Sequence, residues 1–264
     1  MNIYVQELRF RRKTLFIWNL SLFLTLVLML LIYPAVMSEG EAYVEIFDAL
    51  PPQVLEALSI DFSTFLSFNG FLGYIFTYVL LAMCVLAMNL GLSVLGKEIS
   101  GKTADFLLTK PVTRSRLLTE KILSGLTLIT LTNLFTAATS VIMGMLLEKE
   151  DRDLKGLLLI LTAGFILQIL FFTLGMLLGI LRQRIRFITS QSLGIVFTLY
   201  ILGMLSQIIK KDFLTYLSPF RYFDFNQILQ KSGYETRYLL LALMLISAFT
   251  ALSYILLERK EIHA

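Results

Sequence analysis

Long apolar runs alternate with polar segments along this chain of 264 residues. Six runs are long enough to cross a bilayer, since a membrane helix needs about 20 mainly apolar residues. They cover about residues 14–34, 70–95, 122–147, 157–181, 187–209 and 238–257. Runs such as LFLTLVLMLLIY do not alternate apolar and polar positions, as the strands of a transmembrane barrel would. The pattern therefore predicts an all-α, polytopic membrane protein with six transmembrane helices.

Composition supports the same class of protein. The chain is 57% hydrophobic and only 16% charged, with a mean hydropathy of +0.77, whereas a soluble domain usually has about 25% charged residues. Gly and Pro are scarce, so no flexible linker divides the chain. We therefore expect a single transmembrane domain over residues 1–264, with no second soluble domain.

The distribution of charge orients the spans, because Lys and Arg near span ends stay on the cytoplasmic side. With the N-terminus inside, the cytoplasmic segments hold 15 of the 23 basic residues and the outer segments hold 13 of the 19 acidic residues. The first outer segment, 38–69, contains six acids and no Lys or Arg. This asymmetry and the six spans predict that the N and C termini are both cytoplasmic.

Three polar segments have a pattern of their own. Residues 1–13 place apolar side chains among charges, which is typical of a short N-terminal interfacial helix. Segment 38–69 has near-helical apolar spacing interrupted at Pro51-Pro52, so it predicts two short helices. Segment 210–237 is rich in Phe and Tyr and is broken at Ser218-Pro219. Because aromatic rings favour the headgroup level, we expect it to dip into the outer leaflet.

The cytoplasmic loop between the second and third spans, Gly96–Lys121, is more than a simple connection. It holds six basic and three acidic residues, together with the apolar Ile99 and Phe106-Leu107-Leu108. Its start, GKEISGKT, matches the P-loop pattern G-x-x-x-x-G-K-[ST]. We reject a P-loop, because that loop follows a buried strand and opens a helix in a βαβ unit, whereas a membrane helix precedes this one. A loop of 26 residues is also too short for a nucleotide-binding domain.

Residues that carry catalysis or bind metals are scarce. The only histidine is His263, no acid lies deep in a span, and the single cysteine, Cys84, lies within the second span. The first and the last of these facts exclude His-based catalytic triads and a thiolate metal cluster within one chain, and the lack of deep acids argues against a carboxylate proton relay. We expect no catalytic site and no metal site in this chain, and hence no enzymatic activity of its own.

A few polar and small residues lie within the spans. The polar ones are Asn89, Asn133, Gln168, and Gln191 with Ser192. They either hydrogen-bond between helices or line a pathway, and the sequence leaves both interpretations open. Gly175-x-x-x-Gly179 fits the small-xxx-small pattern, which favours close helix packing.

The loop carries an acid with a nearby Gly, a Leu-Leu pair, a Pro followed by Thr-Arg, and a Lys. These features are Glu98, Gly101, Leu107-Leu108, Pro111 with Thr113-Arg114, and Lys121. In this combination the loop resembles that of a known transporter family, the permease subunits of ATP-binding cassette (ABC) transporters of the second exporter class, or ABC-2-type permeases, whose loop carries an acid, a Gly, a Leu-Leu pair, a Pro followed by Ser/Thr-Arg, and a Lys. The acid and the glycine stand one residue closer than in the family pattern. The six spans, the cytoplasmic termini, the interfacial N-terminal helix and Leu217-Ser218-Pro219-Phe220-Arg221-Tyr222 before the last span are similar to the same class.

The resemblance implies that the loop forms a cytoplasmic coupling helix resting in a cleft of a separate ABC ATPase subunit. The coupling residues it implies are Glu98, Ile99, Gly101, Lys102, Asp105, Phe106, Leu107, Leu108, Pro111 and Arg114. It also implies two ATPase copies that bind ATP and Mg, a second permease copy or a related permease, contact with membrane lipid, no cofactor in this chain and no nucleic acid. The location implied is a bacterial or archaeal plasma membrane.

Three alternatives explain part of the same pattern. A multi-span membrane enzyme is disfavoured, because the chain has a single histidine and no acid deep in a span. A multi-span interaction, assembly or immunity protein without a transport cycle would need no ATPase. A solvated basic loop near anionic lipid headgroups would explain the basic residues but not Phe106-Leu107-Leu108. The spans do not define the cargo, although the lack of an evident charged pocket favours an amphipathic or apolar one.

Overall fold

The computed structural model of the chain is built from helices. It describes residues 3–40, 49, 51, 54–55, 62–100, 113–148, 153–182, 187–209 and 212–259, and within these it gives only the backbone of residues 62–63, 95–100 and 212. The long helices are α1 Ile3–Leu30, α4 Phe68–Ser100, α5 Arg114–Leu147, α6 Leu154–Leu181, α7 Ile188–Ile209 and α10 Thr236–Arg259. The short helices are α2 Tyr33–Ser38, α3 Phe62–Phe65, α8 Asp212–Leu217 and α9 Phe225–Lys231, with a 3-10 turn at Pro219–Arg221. No strand occurs within these described ranges.

The prediction of an all-α protein with six transmembrane helices is confirmed at the level of helix length and composition. Among the described residues, six helical segments are long and apolar enough to cross a bilayer, one for each predicted run. α5 begins about two turns before its apolar run, at Arg114, where Thr113 caps the helix by accepting a hydrogen bond from the Arg116 N–H at 3.4 Å. The helices predicted around Pro51-Pro52 lie largely outside the described residues.

α1 differs from the predicted separate helix over residues 1–13. One continuous helix runs over Ile3–Leu30. The chain has no Gly or Pro before Pro34, so no helix-breaking residue ends a helix between the charged start and the apolar run. Two of the charged residues that suggested a surface helix, Glu7 and Arg11, instead bind side chains of α5 and α4. The first turns of α1 are therefore part of the bundle.

α4 lies at the centre of the bundle and crosses α6 very closely. A Cβ on Gly91 would lie 2.2 Å from the carbonyl oxygen of Phe172. A Cβ on Gly175 would lie 2.7 Å from the carbonyl oxygen of Met88, and one on Gly179 would lie 2.8 Å from another α4 carbonyl oxygen. Only glycine lets two backbones approach this closely. The expected packing role of Gly175 and Gly179 is therefore confirmed.

The remaining long helices surround this centre. α1 packs on α5, α10 packs on α6, and α7 packs on α4. α1, α7 and α10 keep most of their apolar surface exposed in the single chain. Such all-round apolar helices are suited to face lipid or another membrane-embedded chain.

The segment after α7 folds back into the short helices α8 and α9. The chain breaks at Ser218, as predicted, and the Ser218 Oγ donates a hydrogen bond to a carbonyl of α7 at 2.7 Å. Asp224 begins α9 as its N-cap by accepting hydrogen bonds from two N–H groups of the first turn. The Asp224 carboxylate also pairs with Arg221 at 3.0 Å. This segment therefore brings an ion pair up against α4 and α7.

Candidate functional site

The predicted coupling residues fall at the junction of α4 and α5. Glu98 and Ile99 lie in the last turn of α4, of which only the backbone is described. Arg114 opens α5. The other predicted coupling residues, which lie outside the described residues, are Gly101, Lys102, Asp105, Phe106, Leu107, Leu108 and Pro111. The structure thus gives the two ends of the loop on which the prediction rests.

The α5 end of the loop is attached to the C-terminus of α10. Arg114 Nη1 donates hydrogen bonds to the carbonyl oxygen of Leu257 at 3.2 Å and to that of Glu258 at 3.4 Å. Ser115 Oγ donates to the Glu258 carboxylate at 2.8 Å. A cation at the last carbonyls of a helix also interacts favourably with the helix dipole. Arg114, which the resemblance assigns to coupling, therefore ties the start of α5 to the last span.

A largely buried ionic cluster joins α1, α4 and α5. We call it the inner clasp, and it consists of Glu7, Arg11, Ser93 and Lys121. Lys121 Nζ lies 3.1 Å from Glu7 Oε1, and the Lys121 side chain is only 3% exposed. Arg11 Nε lies 3.3 Å from Glu7 Oε2, and Arg11 Nη2 donates to Ser93 Oγ at 2.7 Å. Because an unpaired buried charge is costly, this arrangement fixes Lys121, the last residue of the loop, to the first span.

Both ends of the loop are thus connected to several spans. α4 continues into the start of the loop without a break. At the other end, α5 is bonded to α10 through Arg114 and to α1 through Lys121. The described ends of the loop are thus in contact with, or part of, four of the six long helices, α1, α4, α5 and α10.

The candidate pathway amides are used in contacts between helices. Gln168 of α6 is fully buried, and its Nε2 donates to Asn133 Oδ1 of α5 at 3.1 Å. Asn89 of α4 accepts a hydrogen bond from Ser192 Oγ of α7 at 3.3 Å. Gln191 accepts one from the arginine that follows α6. Contacts of this kind favour the packing interpretation over pore lining for these residues.

Sequence reasoning missed a cavity between α4, α7 and the segment that follows α7. It has about 690 Å³ of space, a volume that includes the solvent at its open mouth. Tyr74 and Thr77 of α4 and Tyr200 and Gln207 of α7 line its walls, and the Arg221–Asp224 ion pair belongs to the segment that follows α7. None of the four candidate amides lines this cavity. The structure therefore places mixed aromatic and polar surface at a position that the apolar pattern of the spans did not indicate.

Only part of this cavity had a signal in the sequence. Arg221 and Asp224 are three residues apart in an aromatic segment, which is a spacing that allows an ion pair in a helical turn.

Close by, Glu235 pairs with Lys231 at 2.9 Å and with Arg237 at 3.1 Å. The hydrogen bond from Lys231 is the main cause that lowers the pKa of the Glu235 carboxyl below its usual value, and Arg237 adds to it.

Metal binding has no support in the described part of the chain. There, no group of three or more His, Cys, Asp or Glu side chains is placed to hold a metal ion. The acid of the inner clasp, Glu7, is instead paired with Lys121 and Arg11.

No curated protein and no solved structure matched the chain. A family model described as ABC-2 family transporter protein matches residues 1–262, which is nearly the whole chain. The match extends over all six candidate spans, so it does not depend on the loop alone. This chain therefore belongs to the ABC-2 transporter family and is a multi-pass membrane protein.

Proposed function

We propose that this chain is the membrane-spanning permease subunit of an ATP-driven ABC exporter. Membership in the ABC-2 family supports a permease that associates with an ABC ATPase. The observation that carries the proposal is the loop between α4 and α5, which combines basic and apolar residues and whose two ends are bonded to spans. A loop of this kind suits the transfer of force from a soluble partner to the membrane helices.

Two ATPase subunits would bind ATP and Mg, and this chain would supply no catalytic residue. The apolar Ile99, Phe106 and Leu107 would fill a cleft of the ATPase, surrounded by charged residues of the loop, which is the usual anatomy of a protein interface. Closure of the ATPase pair would then push on the loop. The push would reach α10 through Arg114 and α1 through the inner clasp. In this proposal the N and C termini lie in the cytoplasm of a bacterium or archaeon.

The cargo pathway would lie between two copies of this chain, or between this chain and a related permease, on the face formed by α4 and α7. Tyr78 of α4 is 42% exposed there, and its hydroxyl bonds that of Tyr74 at 3.2 Å. On α7 the exposed small residues Ser190, Gly194 and Thr198 follow one another at four-residue intervals. A Cβ on Gly194 would have nothing within 4 Å. Small residues at this spacing favour contacts between helices. Polar groups that face hydrocarbon are costly, so this face is better suited to contact a second permease than lipid.

The cavity supports an amphipathic cargo. Its walls carry the rings of Tyr74 and Tyr200, which suit an apolar or aromatic body. The Arg221–Asp224 pair at the outer segment offers both a donor and an acceptor while its charges largely offset each other. A cargo with a polar but weakly charged head would therefore fit better than a highly charged small solute.

Co-purification from native membranes tests the proposed partner. The tagged chain is extracted in mild detergent, and the ATP-hydrolysing subunit that accompanies it is quantified by mass spectrometry and ATPase assay. We expect the ATPase to accompany the native chain and Phe106→Asp to reduce its amount by at least about tenfold, because a charge would replace an apolar residue at the centre of the contact. Phe213→Asp is the matched control, since Phe213 is 74% exposed on the outer segment.

Transport coupling provides the second readout. Glu98→Arg should leave membrane insertion intact but uncouple ATP hydrolysis from transport. If no ATPase accompanies the native chain, the proposal fails and an interaction protein without a transport cycle explains the chain better. If Phe106→Asp retains both the ATPase and normal transport, the loop is not the docking site.

A further inference from the structure

One exposed face of α1 combines a basic cluster with an apolar stripe. Arg9, Arg12 and Lys13 are all exposed. They share one helix face with Phe16 and Ile17, because residues three, four, seven and eight positions apart lie on the same side. Phe16 is 68% exposed and Ile17 is 62% exposed. The same face continues toward the other end of the span with the exposed Leu20 and Leu24.

The basic cluster is not neutralised within the described part of the chain. Glu7, the only acid in the first 38 residues, lies on the opposite face of α1. It is held there by Lys121 and Arg11 of the inner clasp. Among the described residues, no ion pair reaches Arg9, Arg12 or Lys13. Within the described ranges, this face therefore carries three positive charges that are not paired with an acidic side chain.

We propose that this face of α1 is a binding site for an anionic phospholipid, which we call the α1 lipid site. The headgroup phosphate binds Arg9, Arg12 and Lys13, and an acyl chain lies along Phe16, Ile17 and Leu20. At 1.5 Å rise per residue, Arg12 lies only about 6 Å along the helix from Phe16, so one lipid spans both parts. Basic residues directly next to an apolar stripe have the charge complementarity that anionic lipids require.

The apolar stripe favours lipid over a soluble protein partner. A soluble partner could pair with the three cations, but it would leave Phe16, Ile17 and Leu20 uncovered on a helix long and apolar enough to cross the bilayer. A lipid covers both parts with one molecule. The opposite face of the same turns carries the inner clasp, so a bound lipid would also hold α1 against α4 and α5. The site is independent of the proposed transport function.

Lipid binding to the purified full-length chain tests the proposal. The chain in neutral detergent is titrated with phosphatidylglycerol or with phosphatidylcholine, and bound lipid is counted by native mass spectrometry. We expect the native chain to retain phosphatidylglycerol in preference to phosphatidylcholine. The variant R9Q/R12Q/K13Q should bind phosphatidylglycerol roughly 10- to 100-fold more weakly, given the contribution of each basic residue near an anionic surface.

Two further variants separate a defined site from general attraction. K155Q/K231Q/R237Q removes the same number of exposed charges elsewhere on the chain and should leave phosphatidylglycerol binding unchanged. R9K/R12K keeps the charge and should retain the binding. The proposal is overturned if the native chain does not prefer phosphatidylglycerol, or if both triple variants weaken binding equally. It is also overturned if R9Q/R12Q/K13Q binds the lipid normally but loses a protein partner.

Discussion

At the scale of single residues, the inner clasp places a lysine in a buried position, where few lysines are found. The Lys121 side chain is 3% exposed, and the Glu7 carboxylate lies between it and Arg11. Glu7 thus serves two cations, whereas each cation has only one carboxylate in the clasp. Removing the acid leaves two positive charges without that partner, while removing Lys121 still leaves Glu7 paired with Arg11. The two deletions should therefore differ in cost.

We expect Glu7→Gln to destabilise the chain by about 3 kcal/mol, because it removes the carboxylate that pairs with both Lys121 and Arg11 in a largely buried position. Lys121→Met should cost only about 1 kcal/mol, since an apolar side chain of similar length fills the site and Arg11 remains with Glu7. Thermal unfolding of the purified chain in detergent measures both effects. Lys155→Met, at an exposed position of α6, is the control and should change little. An equal loss of stability in the Glu7 and Lys121 variants would contradict this account of the clasp.

At the scale of helices, the crossing of α4 and α6 leaves no room for a side chain. Gly91→Ala would place a Cβ 2.2 Å from the backbone carbonyl oxygen of Phe172, which cannot move aside as a side chain could. The helices would have to separate, and overpacking of this kind costs about 1–3 kcal/mol. Gly40→Ala is the control, because a Cβ there would lie 3.8 Å from Leu66 Cδ2, an ordinary van der Waals distance. Unfolding midpoints in detergent should fall for Gly91→Ala alone, and similar midpoints for both variants would refute a tight crossing.

Sequence reasoning predicted the number and kind of long helices, because an apolar run of membrane-spanning length is a local property of the chain. It also identified Gly175-x-x-x-Gly179 as a packing motif. It could not identify Gly91 as the partner glycine, since the choice of neighbouring helix depends on tertiary packing. The prediction of a separate N-terminal helix was wrong for the same reason. Glu7 and Arg11 look like surface charges until Lys121 and Ser93 are placed beside them.

The candidate site was less accessible to prediction than the fold. The loop motif could be recognised because its basic, acidic and apolar residues are close together in sequence. The coupling role of its central residues stays a prediction. The amides Asn133 and Gln168 are on different helices, so their hydrogen bond could not be anticipated from spacing. The cavity was missed because Tyr74 and Tyr200 meet only when α4 and α7 pack together.

At the scale of the whole molecule, the proposed function depends on which side of the membrane each segment occupies. The loop and the inner clasp must face the cytoplasm, where ATP is present, and α8 and α9 must lie outside. Six membrane crossings predict that the two termini lie on the same side. The excess of basic residues in the N-terminal, loop and C-terminal segments predicts that this side is the cytoplasm.

Cysteine labelling in intact cells tests this orientation with little background, because the single native cysteine, Cys84, is fully buried. Four exposed positions are replaced one at a time by cysteine: Arg12, Lys155, Arg182 and Lys231. A membrane-impermeant maleimide should label Lys155→Cys and Lys231→Cys in intact cells, since both precede or follow spans on the acidic, outer side. Arg12→Cys and Arg182→Cys should be labelled only after the cells are permeabilised. Labelling of Arg12→Cys in intact cells would show that the start of α1 lies outside the cell. The loop would then lie outside as well, where a cytoplasmic ATPase could not reach it, and the proposed function would fail.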